Sequence, residues 1–84
     1  MKELIEFVAK KFVSHPEDVV VTEETDDEGN ARITLITNPD DVGMAIGKGG
    51  KTAHALRELL KVKATGTGQR VFLDIRSSEE QPAD

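Results

Sequence analysis

The chain has 84 residues, no cysteine, 37% apolar residues and a net charge of −5. That length holds one small domain, burying about 60% of its unfolded surface, and the lack of cysteine excludes disulfides and thiolate metal sites. No apolar run approaches the ~20 residues of a membrane span, and the early acidic residues of Met1-Lys2-Glu3-Leu4-Ile5-Glu6-Phe7 do not fit a signal peptide.

Residues 2–13 are predicted to form a helix, because Ile5, Val8, Ala9, Phe12 and Val13 recur on one face. Ser14-His15-Pro16 ends it, since the residue before a proline leaves the helical region. Val19 to Thr22 is β-branched and reads as a strand. Asp26-Asp27-Glu28-Gly29-Asn30 is turn chemistry. Ala31 to Thr37 alternates, with Ile33 and Leu35 on one face and Arg32 and Thr34 on the other, so it forms a second strand antiparallel to the first.

Asn38-Pro39-Asp40-Asp41 is a helix start: a cap, a proline for the first position and two acids for the helix dipole. The short helix it opens runs from about Pro39 to Ile46 and is stopped by Gly47. A second helix follows from about Gly50 to Val62, with Ala53, Leu56, Leu59 and Leu60 as its buried stripe. Thr65-Gly66-Thr67-Gly68 is a loop, and Val71, Leu73 and Ile75 alternate with Phe72, Asp74 and Arg76 in a third strand. Residues 1–76 form the domain, and 77–84 an acidic tail expected to be disordered. The order α-β-β-α-α-β predicts an α+β single domain of two layers, a three-stranded sheet with helices on one face.

Between the two central helices lies Ile46-Gly47-Lys48-Gly49-Gly50-Lys51-Thr52. Glycines permit a tight bend there, and the amides opening the next helix are expected to be free. Lys48 and Lys51 add positive charge, so the site suits phosphate. A plain joint between helices needs one or two special residues, not three glycines and two lysines. The stretch from Gly47 to Lys63 carries five basic residues against Glu58 alone, which leaves −9 for the rest of the chain. Local basicity on an acidic body still attracts phosphate, because exposed charges beyond about 8 Å are screened at physiological salt.

Ala45 to Thr52 also fits a relaxed P-loop pattern. A P-loop follows a buried strand and draws on a Mg²⁺-binding carboxylate; here a helix start precedes the glycines, so no nucleotide hydrolysis is expected. His15 and His54 lack metal-ligand spacing, and His54 reads as a solvated residue. Phe7, Phe12 and Phe72 are the only aromatics; Phe7 and Phe12 suit core or dimer surface, and base stacking of the RRM kind is not expected. The small residues Gly43, Ala45, Ala53 and Ala55 admit two readings, a dimer interface or close packing on the chain's own sheet.

The segment from Asn38 to Gly43, the glycine loop through Thr52, and Ala55-Leu56-Arg57 resemble the small bacterial KH-domain RNA-binding proteins of the KhpA family, over nearly the whole chain. The resemblance implies a type II KH fold whose GXXG loop, Gly47-Lys48-Gly49-Gly50, holds about four nucleotides of single-stranded RNA. It assigns RNA contact to Ile46, Gly47, Lys48, Gly49, Gly50, Lys51, Thr52 and Arg57, with the Val42–Ile46 helix and Ile33 or Leu35 framing the bases. It leaves the identity of Gly49 variable. It further implies a cytoplasmic post-transcriptional regulator or RNA chaperone, without cofactor or enzymatic activity, that forms homodimers or pairs with a Jag-like KH protein, KhpB. The alternative is a KH-fold interaction module that acts mainly by dimerising.

Overall fold

The first helix, α1 (Lys2–Phe12), lays Ile5 and Ala9 on the sheet with no exposed surface, one turn apart as the apolar spacing requires. This is a computed structural model, and it describes residues 2–64, 66 and 68–79. A 3₁₀ turn at Pro16–Asp18 leads into β1 (Val20–Thr25), which pairs antiparallel with β2 (Ala31–Thr37). Strand β1 runs three residues further than its β-branched run. Glu23, Glu24 and Thr25 pair with Ile33, Arg32 and Ala31, since ladder hydrogen bonds need backbone, not apolar side chains. Asp26 closes the hairpin: its carboxylate accepts the amides of Glu28 and Asn30, each at 2.9 Å. Those hydrogen bonds, that to the Asn30 backbone foremost, hold its pKa below the usual carboxylate value.

The helix expected over Pro39–Ile46 divides into a 3₁₀ turn (Pro39–Asp41), capped by the Asn38 side chain on the Asp40 amide at 2.9 Å, and α2 (Val42–Ile46). Helix α3 (Lys51–Ala64) and β3 (Val71–Ser77) complete the chain. Strand β3 joins β2 in parallel, so the sheet is mixed, in the order β1-β2-β3. A parallel pair needs a long crossover, and α2 with α3 supplies it. Ser77, placed in the tail by sequence, is the last residue of β3 and is buried. Residues 80–84 of that tail, with Thr65 and Thr67 of the α3–β3 loop, lie outside the described residues.

The core gathers Ile5, Ala9, Val21, Ile33, Leu35, Leu56, Leu60 and Leu73 between one sheet face and the helices. One member of the expected α3 stripe is corrected. Ala53, Leu56, Leu60 and Ala64 are buried, but Leu59 is 42% exposed. At about 100° per residue, Leu59 points well away from Leu60. It joins Ala55 and Val62 in a second, exposed stripe at i, i+4, i+7. Phe12 packs against the core, whereas Phe7 is exposed, with the Lys11 ammonium 4.9 Å from its ring centroid.

Candidate functional site

The α2–α3 connection is built on three glycines with positive φ, Gly47 (79°), Gly49 (66°) and Gly50 (78°). Gly47 ends α2 by donating its amide to the Gly43 carbonyl at 2.8 Å. It is also pressed against the start of α3. A Cβ there would meet the Thr52 hydroxyl and lie 2.7 Å from the Thr52 amide nitrogen. Thr52 therefore serves to seat the loop on α3. Gly49 and Gly50 face open space, but their positive φ favours glycine at both. Gly49 is thus less free to vary than the resemblance implied.

The loop amides divide differently from the sequence expectation. Gly50 donates to the Gly47 carbonyl at 3.0 Å and Lys51 to the Lys48 carbonyl, so the amide of the first α3 residue and the one before it are engaged. Those of Lys48 and Gly49 have no hydrogen bond among the described residues. Both residues are exposed, so the anion-accepting amides sit at the tip of the loop.

Ile46 through Thr52 come together at this one corner. Ile46 is 40% and Met44 49% exposed, so α2 presents aliphatic surface directly beside the basic loop. Arg57 stands apart, about 9 Å along the α3 axis from Lys51 and roughly 120° around it. No hydrogen bond or ion pair engages the side chains of Lys48, Lys51 or Arg57 among the described residues. His54 lies on the same helix with Glu58 at 3.4 Å, and Glu58 also meets Lys61 at 3.7 Å. The acidic β1–β2 turn precedes β2, whose seven residues span about 23 Å before the chain turns toward α2 and the loop.

Two framing residues are corrected. Ile33 and Leu35 have no exposed surface, because β2 is the central strand and the helices cover them. The strand beside α2 is β3, an edge strand. Its half-buried Val71 and Ile75, on the side of the sheet that faces the helices, are the open aliphatic positions there. The small residues separate as well. Ala45 and Ala53 pack inside the domain, while Gly43 and Ala55 are exposed. The P-loop pattern lacks its strand, since α2 precedes the glycines. Among the described residues no helix is long and apolar enough to cross a membrane.

A sequence profile of the KhpA/KhpB KH domain matches residues 2–75. The RNA-binding protein KhpA of Halalkalibacterium halodurans is 48% identical over 75 residues, which cover 89% of this chain and 97% of that protein. KhpA of Oceanobacillus iheyensis is 39% identical over 89% of this chain and 99% of its own length. KhpA of Thermotoga maritima is 47% identical over 60 residues, 71% of this chain and 79% of that protein. No solved structure matches at a significant level. With the α-β-β-α-α-β order, the mixed sheet and the glycine loop between α2 and α3, the profile match places this chain in the KhpA/KhpB family of KH-domain proteins.

Proposed function

We propose that this chain binds single-stranded RNA without enzymatic activity, as a cytoplasmic post-transcriptional regulator or RNA chaperone. One observation carries the reading. The free Lys48 and Gly49 amides and the unpaired Lys48 and Lys51 adjoin the exposed aliphatic surface of Ile46 and Met44. Phosphates have donors and cations at the tip, and bases have an apolar wall next to it. Strand β3, which carries the half-buried Ile75, packs beside α2. The relatives named RNA-binding protein KhpA favour the same reading.

Salt titration tests it. Lys48, Lys51 and Arg57 are three unpaired cations, and each phosphate contact to a single strand contributes about −0.7 to the slope of log K against log salt. A slope between about −1.4 and −2.1 is expected, measured by fluorescence anisotropy with a short unstructured RNA. A flat response would remove phosphate contact from the account.

One loop with about four nucleotides of contact binds weakly, and a second site raises effective concentration. The exposed stripe of Ala55, Leu59 and Val62 supports association with a second KH domain, a second copy of this chain or a Jag-like partner such as KhpB. It also favours the second reading, an interaction module that acts mainly by dimerising. Leu59→Glu with Val62→Glu is expected to give a folded monomer in light scattering and to weaken RNA binding by about a hundredfold. A variant that stays dimeric would place the interface elsewhere.

A further inference from the structure

Phe72 lies outside the loop site, and its setting is unusual for a core-type residue. Its ring is 52% exposed on the sheet face that points away from the core, between neighbours of opposite character. On one side the register places Arg32 beside it, with Glu24 beyond on β1. Phe72 shares a smaller hollow there with Glu24, Asp26 and Arg32. On the other side it lines a cleft of about 480 Å³ between the end of α3 and the start of β3. Among the described residues, the charged ones lining this cleft are Arg70 and Lys61, the latter also within 3.7 Å of Glu58. Its volume is that of a small-ligand site.

The chemistry of the cleft selects its occupant. A flat aromatic face next to two cations suits a group that is itself flat and joined to an anion. Bases stack on aromatic rings whatever their identity, and guanidinium and ammonium groups hold the phosphates on either side. The Arg70 guanidinium has no hydrogen bond or ion pair among the described residues. Its backbone is fixed, because its amide donates to Asn30 Oδ1 at 3.4 Å and its carbonyl accepts the Ala31 amide at 2.8 Å. The cation is thus free while its base of attachment is held. On the far side of the ring Glu24 and Asp26 outnumber Arg32, so phosphate is favoured on the α3 side, where Arg70 and Lys61 lie.

We propose that this α3–β3 cleft is a second subsite for single-stranded RNA, in which Phe72 stacks a base and Arg70 and Lys61 hold the flanking phosphates. The subsite rests on the RNA-binding reading of the glycine loop and lengthens it. Helix α3 has the loop at its first residue and the cleft at its last turn, and its 14 residues span about 20 Å. Strand β3 borders both, meeting the cleft at Val71 and Phe72 and packing beside α2. A strand of about four nucleotides fills the loop site alone, and a longer one reaches the cleft and gains from the shared tether.

Two RNAs, of about four and about twelve nucleotides, distinguish the sites when titrated against the full chain by fluorescence anisotropy. Phe72→Ala is expected to melt like wild type, to keep its affinity for the short RNA, and to bind the long one about tenfold more weakly. Phe72→Trp restores the long-RNA affinity, and Arg70→Gln lowers the long-RNA salt slope by about 0.7. Unchanged long-RNA binding by Phe72→Ala overturns the subsite and leaves the loop reading standing. An equal loss on both RNAs also overturns it, since the ring then acts through the fold. If adenosine monophosphate binds the cleft as tightly as the long RNA does, the cleft belongs to free nucleotides and the RNA subsite is refuted. Failure of the wild type to bind either RNA removes both readings together.

Discussion

Changing Lys48 and Gly49 together to aspartate is expected to reduce RNA affinity at least a hundredfold while the thermal transition moves by only a few degrees. The asymmetry follows from where the two residues sit. Both are exposed, neither side chain touches the core, and nothing lies within 4 Å of a Cβ added at Gly49. The cost to the fold is that of one aspartate at a φ of 66°, about 1 kcal/mol, and aspartate is among the residues that tolerate that region. The cost to binding is far larger. One cation is removed, and two carboxylates are placed beside the free Lys48 and Gly49 amides, where phosphate oxygens would otherwise accept. Gly47 is a poor substitute for this test, because its Cβ would strike Thr52 and disturb the start of α3 along with the site. RNA retention and melting should be measured on the same preparation. A folded variant that retains RNA at full strength removes the loop from the interface.

The parts of this molecule that local sequence specifies were legible. The glycine loop, the Asn38 cap, the apolar spacing of α1 and the alternation of β2 all appear where the residues put them, since each depends on neighbours within a turn or two. What the sequence hid depends on neighbours far along the chain. Ile33 and Leu35 alternate like any strand residues, and nothing local tells that β2 is central and β3 is the edge beside α2. Leu59 is apolar and near Leu60, yet the helix turns it outward, so its value lies on the surface. Phe72 reads from sequence as one aromatic among three. Only the register, which sets it beside Arg32 and at the lip of a cleft shared with Arg70, gives it a chemical setting. The free amides were expected at the start of α3, but the 3₁₀ turn engages those of Gly50 and Lys51, while those of Lys48 and Gly49 have no hydrogen bond among the described residues.

Asp41→Asn is expected to give the largest stability loss, a melting temperature lowered by about 10 °C or more, and to weaken RNA binding through displacement of α2. By sequence Asp40 and Asp41 are equivalent acids at a helix start. In the fold Asp40 is exposed and Asp41 has no exposed surface. Its Oδ1 accepts the Ser14 amide and its Oδ2 the His15 amide, both at 2.9 Å. One carboxylate thus ties the exit of α1 to the entry of α2, and α2 is only five residues long before the loop begins. Burial alone would raise the Asp41 pKa. The two amide hydrogen bonds, with the nearby His15, outweigh it and hold the group below the ordinary carboxylate value. A folded-state pKa below the unfolded one stabilises the fold fully above the unfolded value, about 3.9, and that stability is lost as pH falls through the folded value. The wild type should therefore lose part of its stability below about pH 4 through this residue. Asparagine keeps the shape but sets an NH₂ group against one of the two amide donors, leaving a part-buried hydrogen bond unmade. The variant should be less stable at neutral pH and should show a shallower decline in acid. Thermal melts of both proteins across pH 3 to 7 decide the matter, and equal melting temperatures with equal acid slopes would show that Asp41 does not anchor α2.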